Sequence, residues 1–138
     1  MKKVILVLAL FTTIVGYGQD LIDANGDKVA EINTSGVILD GAGQTLGEFL
    51  ANGDVKDLAG NIIGKIEGTE FKDSEGIVLG SIDTNNNVFD LNNSKLGTIQ
   101  AGLMVIDANN HLLGRASASV DSKYLAAYFF FFFSLNNF

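Results

Sequence analysis

Residues 57–66 read DLAGNIIGKI, residues 40–49 read DGAGQTLGEF, and residues 73–82 read DSEGIVLGSI. In each, an Asp is followed three positions later by Gly, four further on by a second Gly, and two beyond that by an apolar residue. The frame extends in both directions. Its aspartates are Asp23, Asp40, Asp57, Asp73, Asp90 and Asp107, spaced 17, 17, 16, 17 and 17 residues apart. Two residues before each Asp stand Leu21, Ile38, Val55, Phe71, Val88 and Val105. Six after come Val29, Leu46, Ile63, Leu79, Leu96 and Leu113, and nine after come Ile32, Phe49, Ile66, Ile82, Ile99 and Ala116. This is an internal repeat, and a repeat constrains architecture more strongly than any single motif.

Each column has a mechanical reading. An Asp at the first corner of a β-turn accepts a hydrogen bond from the backbone two residues on, and a Gly at the far corner permits positive φ. That Gly is Gly26, Gly43, Gly60 and Gly76; the last two copies carry Asn93 and Asn110, the other residue type that tolerates the left-handed region. A turn flanked by short apolar segments predicts a β-hairpin with strands of about five residues. The stretches NTSG, LANGD, EGTE, DTNNN and QAGL read as the loops that return to the next hairpin.

The second glycine column, Gly47, Gly64, Gly80, Gly97 and Gly114, is less direct. Strand side chains alternate faces, so the apolar positions six and nine after the Asp should point opposite ways. A one-residue bulge at the intervening Gly would place both on one face. Alternatively, the Gly marks a point where backbones approach too closely for a side chain, which the recurrence around an axis favours.

A 17-residue hairpin cannot bury its apolar face alone, so neighbouring copies must cover it. The expected fold is all-β, with the hairpins closed into a ring that removes open edges; a short β-solenoid is the alternative. Joining the late strand of each copy to the early strand of the next gives five pairings from six turns, which suggests a pseudo-five-fold ring.

The repeated D-x-x-G-x-x-aliphatic-G-x-aliphatic units, from Leu21 to about Ala116, resemble the five-fold beta-flower family of small exported bacterial proteins. The resemblance implies a closed all-β ring and a single small domain, and it brings no catalytic residues. The chain departs from the pattern at Ala30, where Gly is expected, and at Ala116, where a larger aliphatic is expected.

Before the repeat stands MKKVILVLALFTTIVGYGQ, with two lysines, an apolar run, and Gly16 and Gly18 ahead of Gln19. This order predicts a secretory signal peptide over residues 1–18, and hence a secreted or periplasmic protein beginning at Gln19. Losing Lys2 and Lys3 with the leader takes the formal charge from −7 to −9. An acidic surface repels phosphate backbones, so no nucleic-acid partner is expected. With no Cys in the chain, packing and hydrogen bonds must hold the exported domain without disulfides.

The repeat domain is assigned to residues 19–120 and is followed by an aromatic tail, 121–138. That tail contains Phe129, Phe130, Phe131, Phe132 and Phe133 in succession. Leu125 to Phe133 is too short to span a bilayer as a helix. One expectation is that the tail folds back as a strand or plug, capping the ring or filling its axis. The other is that these phenylalanines contact an envelope protein or a membrane surface.

Little in the sequence points to chemistry. The stretch DANGD offers Asp23, Asn25 and Asp27, which resemble the opening of a calcium loop but lack its distal Glu. Ala42 and Ala59 occupy the second-ligand position in sister copies, so closing the turn is the simpler role for each Asp. His111, the only histidine, sits within a turn as solvent-facing decoration. There is no thiol, nucleophile elbow or phosphate loop. The reading is therefore a non-enzymatic structural or interaction module without cofactor. The alternative is a small-molecule or calcium binder that uses the acidic rim.

Overall fold

The computed structural model describes residues 18–101 and 103–133. Twelve strands follow one another: β1 (Gly18–Asp23), β2 (Lys28–Asn33), β3 (Val37–Asp40), β4 (Thr45–Phe49), β5 (Asp54–Asp57) and β6 (Ile62–Glu67), then β7 (Glu70–Asp73), β8 (Val78–Ile82), β9 (Asn87–Asp90), β10 (Lys95–Gln100), β11 (Met104–Asp107) and β12 (Leu112–Ala116). Each pairs antiparallel with its sequence neighbours. β1 also pairs with β12, through Leu21↔Ala116, Ile22↔Arg115 and Asp23↔Gly114, so the sheet closes into a barrel. That pairing rules out an open solenoid. The ring holds six hairpins, because β12–β1 supplies a sixth junction beyond the five that the chain makes in passing. The five-fold element of the sequence survives inside the barrel, where five hairpins present Gly and the first presents Ala30.

Every hairpin contains the same irregularity. In the second, Ile38 pairs with Gly47 while Leu39 pairs with Thr45, which leaves Leu46 as the extra residue. Val29, Ile63, Leu79, Leu96 and Leu113 are skipped in the same way. The bulge therefore falls at the aliphatic residue before the glycine, not at the glycine itself. These six side chains are half-buried and pack against the core. A bulge sharpens the local twist, and one in each hairpin helps a short-stranded sheet curl to closure.

Beyond the bulge, plain alternation holds, and positions seven and nine after the Asp share the inner face. Leu21, Ile38, Val55, Phe71, Val88 and Val105 have no exposed surface and form one internal ring. Ile32, Phe49, Ile82, Ile99 and Ala116 are buried directly across from them on the neighbouring strands, with Ile66 packed against the core opposite Phe71. Each large side chain buried there contributes about 1.5–3 kcal/mol before entropy is counted.

The axis is filled by the end of the chain. Ser117 leaves β12 tied to β1: its N–H donates to the Asp20 carbonyl at 2.8 Å, and its Oγ accepts from the Asp20 N–H at 3.0 Å. The Asp121 side chain then accepts from the Lys123 N–H at 2.9 Å, capping α1 (Ser122–Ala126). α1 continues as a π-helical stretch, Ala127–Phe132. The tail is thus a helical plug and not a strand. Within it Leu125, Ala126 and Ala127 are fully buried.

Among the described residues, no helix is long and apolar enough to cross a membrane. Most of the expected leader, residues 1–17, lies outside the described residues, as do 134–138. Gly18, assigned to the leader from sequence, is the first residue of β1 and pairs with Asn33.

Candidate functional site: the turn rim and the filled axis

The six aspartates stand at one end of the barrel, and their carboxylates hold the turns. Asp57 Oδ1 accepts from the N–H groups of Ala59 and Asn61, both at 2.9 Å. Asp23, Asp40, Asp73, Asp90 and Asp107 do the same for the residues two and four positions on, at 2.8–3.0 Å. The main chain closes the same loop, with the Gly60 N–H on the Asp57 carbonyl at 3.1 Å. At the fourth corner φ is +88° for Gly60 and +67° for both Asn93 and Asn110. Gly26, Gly43 and Gly76 share this conformation. The motif recurs in the return loops, where Asp83 Oδ1 accepts from the Asn85 and Asn87 N–H groups and Asn33 Oδ1 from those of Ser35 and Val37. Hydrogen bonding to the charged form explains why two of these carboxyls are more acidic than usual. Asp107 is held below the ordinary range chiefly by the His111 N–H, and Asp83 chiefly by the Asn87 N–H.

Asp23 is engaged in the same way as its five sisters, with Asn25 and Asp27 serving as backbone donors to it. Among the described residues, no three acidic, His or Cys side chains converge on a metal-sized site. The His111 side chain is 77% exposed, with Nδ1 3.6 Å from Asp107 Oδ2.

The second glycine column faces the plug. A Cβ on Gly97 would strike the Ile106 carbonyl oxygen and, at 2.7 Å, Cζ of Phe130. Gly114 meets Phe129, Gly80 meets Phe131, Gly64 meets Phe132 and Gly47 meets Phe133, and each also faces a carbonyl oxygen of the adjoining strand. Five consecutive phenylalanines therefore lie against five glycines in reverse chain order. Close approach is the reason for this column, and its principal partner is the tail. A π-helix fits because its wider turn rotates successive side chains by less than the 100° of an α-helix, so neighbouring residues can serve neighbouring hairpins. Further ring contacts fix the plug: Phe131 stacks on Phe71 with centroids 4.5 Å apart, and Tyr124 on Phe49 at 4.6 Å.

This geometry corrects the expectation that Phe129–Phe133 form an outward contact. Phe129 and Phe131 are buried, and Phe130, Phe132 and Phe133 are half-buried against the core, so these rings serve the interior. Tyr124, Leu125, Ala126, Ala127 and Tyr128 belong to the same plug and were not singled out from sequence. The available signal was an uninterrupted apolar run, which marks a helix buried on every side.

The outward apolar surface lies elsewhere. On the tips of the third, fourth and fifth hairpins, Leu58, Ile77 and Leu91 are 72%, 55% and 64% exposed, and Ile62 stands in the same hairpin as Leu58. In the first two hairpins the matching positions carry Ala24, Asp27, Gly41 and Gln44.

The model of a family described as 5-fold beta-flower protein matches residues 18–134. Comparison with curated proteins finds no match, and neither does comparison with solved structures.

Proposed function

Since the chain belongs to the 5-fold beta-flower proteins, we propose that it is an exported, non-catalytic interaction module of a bacterial envelope. Its contact surface is then the arc of hairpin tips bearing Leu58, Ile77 and Leu91. The supporting observation is that the three most exposed large apolar side chains among the described residues stand on three consecutive hairpins, whereas Met104 and Leu112 of the sixth hairpin are only 39% and 36% exposed. Clustered exposure of this kind on an acidic surface marks an association site. Two further features support a scaffold. One oxygen of each turn carboxylate accepts from its own backbone, and the axis is filled by the chain's own tail.

The test has two parts. Fractionation and terminal sequencing should recover the protein outside the cytoplasm with Gln19 first; an intact Met1 in the cytoplasm would refute export. A photocrosslinker at position 58 or 91 should capture one envelope component in living cells, while one at position 24 or 41 should not. Equal labelling from both arcs would refute the assigned surface.

A further inference from the structure

Five of the six hairpins receive a phenylalanine, and the remaining one departs from the repeat at the position that would receive it. Going down the tail, Phe129, Phe130, Phe131, Phe132 and Phe133 meet the sixth, fifth, fourth, third and second hairpins in turn. The barrel is closed, so one step back along the tail from Phe129 leads from the sixth hairpin to the first. That residue is Tyr128. Its ring lies 5.0 Å from Phe129, edge-on, and 6.0 Å from Phe133, nearly parallel. Those two rings belong to the sixth and second hairpins, so a ring flanked by both occupies the gap between them. Tyr128 is 6% exposed and Ala30 is fully buried.

From this closure we infer that Tyr128 is seated over Ala30 of the first hairpin and completes a wheel of six consecutive aromatic rings, one for each hairpin. The two departures from the repeat then compensate for each other. Where the other sectors pair a bare backbone with a phenyl ring, this one pairs a methyl group with a phenol that stands off by the width of that methyl. The sector is thus distinguishable from the other five, and it lies beside the Ser117–Asp20 tie that leads the chain into the axis. Burial also holds the Tyr128 phenol above its ordinary ionisation range, consistent with a seat inside the wheel.

The test reads the Ala30 methyl group in a methyl-labelled sample. It should be shifted upfield by the ring current of Tyr128 and show cross-peaks to the ring protons of that residue. Tyr128→Phe should retain the shift, whereas Tyr128→Leu should abolish it. An Ala30 methyl without cross-peaks to Tyr128 in the unmodified protein overturns the assignment, and that reading does not depend on any variant folding. A shift that persists in a folded Tyr128→Leu protein overturns it equally.

Discussion

The two glycine columns contain the same residue for opposite reasons. Gly60 lies at φ +88° with no atom within 4 Å of where a Cβ would project, so it is needed for its backbone freedom and not for its small size. Gly97 has no such φ, but a carbonyl oxygen and a phenyl ring occupy the place its side chain would take. The first column answers to the hairpin that contains it. The second answers to a segment tens of residues away. The rim is therefore built by six units that each close their own turn, whereas the axis is built jointly, by units that remain unfilled until the tail arrives.

Several substitutions sharpen this contrast. Phe131→Ala removes a ring stacked on Phe71 and pressed against Gly80 and should cost about 3–5 kcal/mol of stability, read by chemical denaturation. Gly97→Ala forces a methyl against backbone and ring and should cost about 1–3 kcal/mol or more. Gly60→Ala meets no atom, so only the left-handed conformation penalises it, by about 1–2 kcal/mol. Gly60→Asn should be nearly neutral, because Asn93 and Asn110 already occupy that corner in sister hairpins. If Gly97→Asn proved as mild as Gly60→Asn, the two columns would not differ in kind.

The carboxylates that close the turns and return loops should also respond to acid. Asp83 and Asp107 have folded-state values below those of the unfolded chain, so their contribution is present above the ordinary carboxylate range and is lost as pH falls through the folded values. The thermal midpoint should hold steady from neutrality to about pH 5 and decline below about pH 4. In Asp107→Asn that decline should be shallower. The smallest expected effect is that of calcium: with no three acidic side chains converging among the described residues, millimolar calcium should leave the midpoint unmoved, and a rise of several degrees would reveal a site.

How much of this was legible in the sequence follows from the distance over which each cause acts. The Asp–Gly turns were readable because their cause lies within four residues and recurs six times, with Asn93 and Asn110 as informative exceptions. That neighbouring hairpins must cover one another was readable because hairpins this short cannot stand alone, but a ring and a solenoid both meet that need, and the β1–β12 pairing decides between them. The bulge at Leu46 and its equivalents was half-readable: the pattern called for a break in alternation, but the reading put it on the glycine, one residue past where it falls. The Gly97–Phe130 contact was hidden because nothing local to Gly97 reports the tail, although five glycines and five phenylalanines were a count waiting to be matched. Leu58 and Leu91 went unremarked because a single apolar residue at a turn is ordinary; only the ring order shows that such residues sit on nearby hairpins.

The central claim is that the tail's phenylalanines fill the axis one to each glycine. It is tested most directly by nuclear Overhauser contacts between Phe ring protons and Gly α-protons in selectively labelled protein. The account predicts five pairs in reverse order, from Phe129 with Gly114 to Phe133 with Gly47. Phenylalanine rings at random-coil shifts, with no contact to those glycines, would contradict it.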